Sequence, residues 1–248
     1  MQLEHKHRER LDLSRCEGLR MKPDFISDDG RIKLYNVDCM DYMATCKENE
    51  FDLAVVDPPY GINAANDSRT GKEFKTNFGG RSKMVKANSY KPSNWDLFPP
   101  KREYFFSVAR VSKEQIIWGA NHFCDLFSAN SSGWVVWNKD NGDSNLADAE
   151  IAFTSFTKAV RVFDFKWHGM LQGDMKNKEQ RIHPTQKPVK LYDWIYANYA
   201  KKGQRILDTH LGSGSNAIAA HYAGMEFVGC ELDKDYFWAS VDRFKQAT

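Results

Sequence analysis

From Ile32 the chain alternates apolar and polar residues in strand fashion (IKLYNV, 32–37), and Asp38 stands where a side chain would cap the short helical stretch CMDYMATC (39–46). The run FDLAVV (51–56) is apolar almost throughout, the mark of a strand buried on both faces. Together they predict a β-α-β unit. Asp57, Pro58, Pro59 and Tyr60 follow at once, and two prolines end both sheet pairing and helix. Residues 61–100 show little periodicity and many Gly, Asn, Ser and basic positions, which is long for a connection without a role of its own. A helix is predicted over 101–110, strands at QIIW (115–118) and WVVW (134–137), and a short helical piece between them at NHFCDLFS (121–128). AEIAFTSF (149–156) and AVRVFDFKW (159–167), separated only by Thr157 and Lys158, read as a hairpin closing one sheet edge.

After the polar stretch 172–187, Pro188 opens a predicted helix with Leu191, Ile195 and Tyr199 on one face, Lys201 and Lys202 at its C-terminus and Gly203 at its end. The strand RIL runs to Asp208, the turn LGSGS leads into the helix NAIAAHYA stopped by Gly224, and the strand EFVGCE and an amphipathic stretch DYFWASVDRF close the pattern. The alternation of strands and helices over 248 residues predicts a single α/β domain spanning 1–248.

Composition narrows the class. No apolar run approaches the eighteen or so residues of a membrane span, and the first thirty residues are polar and of mixed charge, without a secretory h-region. The expectation is a cytoplasmic protein with no membrane partner. Five cysteines, an odd number without a CxxC pair or a nearby histidine cluster, predict neither disulfides nor a metal site. The formal charge of +2 alone suggests no polyanion, but its distribution does. Residues 61–100 carry a net +4 and residues 151–190 a net +5, which leaves −7 for the remainder. If the two basic segments share a face, they form a phosphate-attracting side.

Two motifs carry chemistry. Gly212, Ser213 and Gly214 form a turn close to GxGxxA, and Glu231 ends the next strand. Glycines let backbone approach a ligand, a helix N-terminus presents free amides, and an acid at that distance can bind ribose hydroxyls. Read alone, the turn is equally compatible with a structural role; the order strand, turn, helix, strand, acid favours a nucleoside-bearing cofactor. In the other motif, a carboxylate (Asp57) and a proline-restricted carbonyl (Pro58) can accept hydrogen bonds from one exocyclic amine while an aromatic ring (Tyr60) stacks on a flat heterocycle. By itself DPPY is as readily a rigid turn after a strand.

Taken together, DPPY (57–60), HPTQKP (183–188), LDTHLGSGS (207–215) and GCELD (229–233) resemble the amino-methyltransferases of DNA, in the class whose catalytic motif precedes the cofactor motif. The resemblance runs from about Asp38 to the last residues. It implies a Rossmann-like methyltransferase domain with a mostly parallel sheet and circularly permuted motif order, S-adenosylmethionine as cofactor, DNA as partner, and base flipping. DPPY, where cytosine-N4 enzymes of the class usually carry SPPY, implies adenine N6 as the target, in a site-specific enzyme of restriction–modification type. Asp57 and the Pro58 carbonyl would hold the amine, Pro59 completes the motif, and Tyr60 would stack on the flipped base. Asp208, Gly212, Ser213 and Gly214 would line the methionine end of the cofactor, with His183, Thr185, Gln186 and Lys187 near its carboxylate, Glu231 on the ribose and Asp38 near the adenine. His210 departs from the aromatic residue usual in the family and is expected to add a pH-sensitive polar contact.

Residues 61–100 are the candidate target-recognition loop, with Phe74, Phe78 or Tyr90 to fill the gap left by a flipped base, and 169–182 a second DNA-contacting segment. His168 reads as a packed or capped histidine. Cys39, Cys124 and Cys230 lie beside no base, which leaves a cytosine-C5 thiolate mechanism unsupported. The competing expectations are cytosine N4 or an RNA base as target, a glutamine amide (disfavoured by DPPY in place of NPPY), a non-catalytic nucleic-acid-binding module, and a nicotinamide oxidoreductase. The sequence is compatible with a monomer or a homodimer.

Overall fold

The computed structural model describes residues 21–66, 73–78, 81–86, 94–141, 147–168 and 171–248. In chain order its elements are β1 (Phe25–Ile26), β2 (Ile32–Tyr35), α1 (Cys39–Ala44), β3 (Phe51–Val56), β4 (Glu73–Phe78), β5 (Arg81–Lys86), α2 (Arg102–Val111), β6 (Ser112–Trp118), β7 (Trp134–Asn138), β8 (Ala149–Thr154) and β9 (Arg161–Asp164). There follow β10 (Trp167–His168), β11 (Leu171–Gln172), α3 (Val189–Tyr199), β12 (Arg205–Asp208), α4 (Ser215–Ala223), β13 (Glu226–Cys230) and α5 (Lys234–Ala247). The main sheet has nine strands in the order β1-β2-β13-β12-β3-β6-β8-β7-β9. β2, β13, β12, β3 and β6 run parallel to one another, while β8 lies antiparallel to both β6 and β7.

Helices cover both faces, as burial of a parallel sheet requires. On one face α3, α4 and α5 contribute Leu191, Ile195, Ile218, Phe237, Val241 and Phe244 to a core with Leu53, Val55, Ile206 and Phe227. On the other, α1 and α2 pack Tyr42, Met43, Phe105, Val108 and Val111 against Phe51, Ala54, Val56 and Leu207. Phe227 is fully buried, and its truncation to Ala would cost about 3–5 kcal/mol. Among the described residues no helix is long and apolar enough to cross a membrane.

Three expectations need correction. The segments at 149–156 and 159–167 do not form a hairpin. Both edges of β8 are taken by β6 and β7, so β9 pairs instead with the free edge of β7, in parallel. The helical piece at 121–128 shrinks to one 3-10 turn, Ala120–His122, entered through Gly119 at φ +67°. The unit 32–56 is parallel, but β13 and β12 are inserted between its two strands. Within 61–100, the structure forms an antiparallel hairpin of β4 and β5 in the register Glu73↔Lys86 to Phe78↔Arg81. Tyr90, Cys16, the side chains of Phe74, Phe78 and His168, and positions 169–170 of the second candidate segment lie outside the described residues.

Candidate active site

β12 and β3 are neighbours, yet the chain leaves them in opposite directions: β12 continues through α4 to β13 on one side, and β3 through α2 to β6 on the other. Such a switch point leaves a crevice at the carboxyl ends of the strands, where ligands of open α/β sheets bind. Here it is a cavity of about 860 Å³. It brings together Asp38, Asp57, Pro59, His183, Thr185, Gln186, Lys187, Gly212, Ser213 and Glu231, residues drawn from five separate stretches of chain.

At one end, the glycine turn and the acid after β13 hold each other. Glu231 accepts from Gly212 N–H through Oε2 (2.8 Å) and from Asp233 N–H through Oε1 (2.9 Å), and burial raises its pKa above the usual carboxylate range. Gly212 and Gly214 take φ +52° and +74°, and a Cβ on Gly214 would fall 3.3 Å from Ser240 of α5, so that residue lets the turn sit close against the helix. Arg243 donates to Ser213 O (2.7 Å) and pairs with Glu179 (2.6 Å), while Ser215 Oγ donates to Lys187 O (2.7 Å), which fastens HPTQKP to the turn. The His183 ring lies between Trp95 (5.1 Å) and Tyr236 (4.4 Å), and burial pushes its pKa down to about 3, leaving a neutral imidazole. Asp38 caps α1 by accepting from Met40 N–H (2.8 Å) on the same cavity wall.

Asp208 and Gly214 stand behind that wall. Asp208 is 3% exposed, accepts from His210 N–H (3.0 Å) and Asn216 Nδ2 (2.9 Å), and burial raises its pKa to about 7. Since Asn216 also donates to Val55 O (3.2 Å), this carboxylate braces the turn against β3. His210 does line the cavity, but burial lowers its pKa to about 4, so the expected pH-sensitive contact is a neutral ring near neutral pH. Its Nδ1 meets Thr209 Oγ1 (2.9 Å), and its ring edge meets Tyr104 (5.5 Å).

At the other end Asp57 projects past β3. Its Oδ2 accepts from Lys187 Nζ (2.6 Å) and its Oδ1 from the Tyr60 hydroxyl (2.8 Å). Lys187 Nζ also reaches Glu150 Oε2 (2.9 Å) and the Tyr60 oxygen (3.1 Å), and Glu150 is held in turn by Lys139. Burial raises the Asp57 pKa although Lys187 opposes it. Burial works against the Lys187 ammonium, but Asp57 and Glu150 outweigh it and hold its pKa above the ordinary lysine value. Glu150 is pulled down to about 2, burial being overcome by the two lysines. The resemblance implies Lys187 near the cofactor carboxylate; in the structure it lines the cavity and its ammonium meets Asp57.

Tyr60 was expected to offer its ring to a base. That ring is stacked on His122 (4.9 Å, 16°), and Gly119 approaches so closely that a Cβ there would fall 2.1 Å from it. Glu150 and His122 escaped sequence reasoning because each lies on a segment without a motif. Trp95 falls within 61–100, the candidate target-recognition loop, but in the structure it lines the cavity. Cys39 touches the cavity, but burial pushes its thiol up to about 12, far from a nucleophile at neutral pH.

The cavity suits a nucleoside-bearing sulfonium cofactor: it offers backbone amides at the turn, carboxylates at Asp38 and Glu231, and Trp95, whose indole N–H has no acceptor among the described residues. A mostly parallel α/β sheet with Asp57, Gly212, Ser213 and Glu231 on one crevice is the arrangement with which the comparisons agree. The family model described as DNA methylase matches residues 88–242, more than half of the chain, and the protein belongs to that family of S-adenosylmethionine-dependent DNA methyltransferases. It is 24% identical to the Type II methyltransferase M2.MboI of Moraxella bovis, over 93% of each chain. It is 23% identical to the Type II methyltransferase M2.DpnII of Streptococcus pneumoniae, over 82% of this chain and 85% of that one. Among solved structures, the M1.HpyAVI–SAM complex superposes with a TM-score of 0.53 at 19% identity, covering 86% of this chain and 99% of the other. The cytosine-N4-specific PvuII DNA methyltransferase does so with a TM-score of 0.56 at 10% identity, covering 91% and 93%. The shared fold therefore does not separate adenine from cytosine targets.

Proposed function

We propose that the protein transfers a methyl group from S-adenosylmethionine to the N6 amine of adenine in DNA, as the modification enzyme of a restriction–modification pair acting in the cytoplasm. The observation that carries this reading is that Asp57 and the Gly212–Glu231 turn face one cavity, so a base amine on the first meets a cofactor on the second. S-adenosylmethionine supplies an electrophilic methyl on a sulfonium sulfur. Asp57 and the Pro58 carbonyl accept from the two amine hydrogens, which favours a localised lone pair on a nitrogen otherwise conjugated with the ring. Held by Asp57 and Pro58, that lone pair would be presented to the methyl group the cofactor supplies, the electron pair of the broken bond remaining on sulfur. The proton left on nitrogen then passes to Asp57. His183 and His210, both with lowered pKa values and so neutral near neutral pH, add no competing charge to the crevice.

A base reaches this depth only when flipped from the duplex. The basic segments 61–100 and 151–190 would supply phosphate contacts, 169–182 being part of the second. Asp at the head of DPPY supports adenine over cytosine. The test is incubation with labelled cofactor and unmethylated genomic DNA followed by mass spectrometry of the nucleosides. N6-methyladenine, lost in Asp57→Ala, is the expected result. N4-methylcytosine, label in RNA alone, or cofactor binding without transfer would each overturn it.

A further inference from the structure

The Lys187 ammonium is 4% exposed and has three N–H bonds to place. All three are used: on Asp57 at 2.6 Å, on Glu150 at 2.9 Å and on the Tyr60 oxygen at 3.1 Å, with the rings of Tyr60 and Trp118 at 5.4 and 5.6 Å. Glu150 lies at the start of β8, paired across the sheet with Trp137, and is fixed from outside by Lys139. It is separated from DPPY and from HPTQKP by long stretches of sequence and is absent from the cofactor cavity wall. An alternating row of acid, base, acid and base thus runs from the crevice into the antiparallel part of the sheet. Buried ion pairs of this kind contribute little net stability, because desolvation offsets most of the attraction. A functional reason for this one lies in what Asp57 must do.

An amine-holding carboxylate has to remain charged and keep lone pairs free. A lone buried ammonium beside it secures the charge but draws both oxygens to itself. A second carboxylate on the far side of the ammonium divides its donors. We infer that Glu150 is a positioning residue for methyl transfer, holding the Lys187 ammonium between two carboxylates so that Lys187 supports the charge of Asp57 without closing its oxygens to the target amine. This rests on the proposed amine-binding role of Asp57. The charged and titratable groups facing Asp57 are Lys187 ahead of α3, Glu150 on β8 and Tyr60 on its own turn, with Tyr192 of α3, Tyr104 of α2 and Asp208 of β12 acting through the field.

Two isosteric changes separate positioning from simple structural support. In Glu150→Gln the ammonium belongs to Asp57 alone, so the Asp57 carboxyl titrates at lower pH. In Lys187→Met it titrates at higher pH. Carbon-13 NMR of carboxyl-labelled protein, with the Asp57 signal assigned by its loss in Asp57→Asn, reads both shifts without any need for turnover. Under single-turnover conditions Glu150→Gln should lower the methylation rate constant by about 10- to 100-fold, the scale of a small misplacement at the reacting centre. Its dissociation constant for S-adenosylmethionine, measured by calorimetry, should be unchanged. An Asp57 titration unmoved in Glu150→Gln, shifts of the same sign in both variants, or Lys187→Met losing cofactor affinity while Asp57 titrates as before would each overturn the inference. The last result would return Lys187 to the cofactor. A wild-type protein that methylates no adenine would fail the functional proposal, and the NMR shifts would still decide the positioning role.

Discussion

Asp57 and Asp208 stand at the carboxyl ends of adjacent parallel strands, both with raised pKa values, but Asp208 is buried while the Asp57 side chain is half-buried, and their partners differ. The register Ile206↔Leu53 and Leu207↔Ala54 sets Asp208 level with Val55, still inside the sheet, whereas Asp57 lies beyond the last residue of β3. Asp208 is met by neutral donors, an amide side chain and a backbone N–H, and closes the turn. Asp57 is met by an ammonium and faces the cavity. The acid that faces the cavity meets a charged donor and the one behind the wall only neutral donors, a difference in partner type as well as in burial.

The sharpest way to break this contrast is to remove each acid. Asp57→Ala should abolish adenine methylation by about 10³-fold or more, the scale of losing both a charge-stabilising and a proton-accepting group, while cofactor affinity measured by calorimetry is retained. Asp208→Ala leaves two buried donors unpaired and should destabilise the fold by about 1–3 kcal/mol, read as a lower urea midpoint. Equal losses of activity with unchanged stability in both would erase the distinction.

Next in size is the cofactor end. Glu231→Ala frees the Gly212 and Asp233 amides and removes the ribose acceptor, so its dissociation constant for S-adenosylmethionine should rise about tenfold, equivalent to roughly 1.4 kcal/mol. A binding isotherm indistinguishable from wild type would remove Glu231 from the site.

A pH effect distinguishes the two acids more finely. The folded pKa of Asp208 is about 7, above its ordinary value, so the folded state binds the proton more tightly than the unfolded chain. Its contribution to stability therefore falls as pH rises from the ordinary carboxylate range to about 7. Urea midpoints of wild type relative to Asp208→Asn should decline across that window, and a flat difference would contradict the assignment. The smallest effect on the site is the salt dependence of DNA binding. Affinity should drop steeply between low and physiological salt despite the net charge of +2, and charge reversal at Arg181 and Lys190 should flatten the slope.

Much of this was legible in the chain. The buried run 51–56, the proline turn after it, the glycine turn, the cap at Asp38 and the acid at 231 are local signals, set by backbone chemistry within a few residues. The edge of the sheet was misjudged for the converse reason. Whether β9 pairs with β8 depends on who already occupies the edges of β8, and that is a matter of distant strands. The contact of Lys187 with Asp57 was not legible for the same reason, since the two lie 130 residues apart.

The sequence by itself determined the strands, the turns and the chemical identity of the two motifs, because propensity, capping and proline restriction act over one or two turns of chain. Only the tertiary structure decided that β12 would lie beside β3, that Asp57 would face the cavity while Asp208 stood behind its wall, and that Glu150 would meet Lys187. Those placements follow from packing and from desolvated charges finding partners, and both are settled between segments that the linear pattern cannot pair.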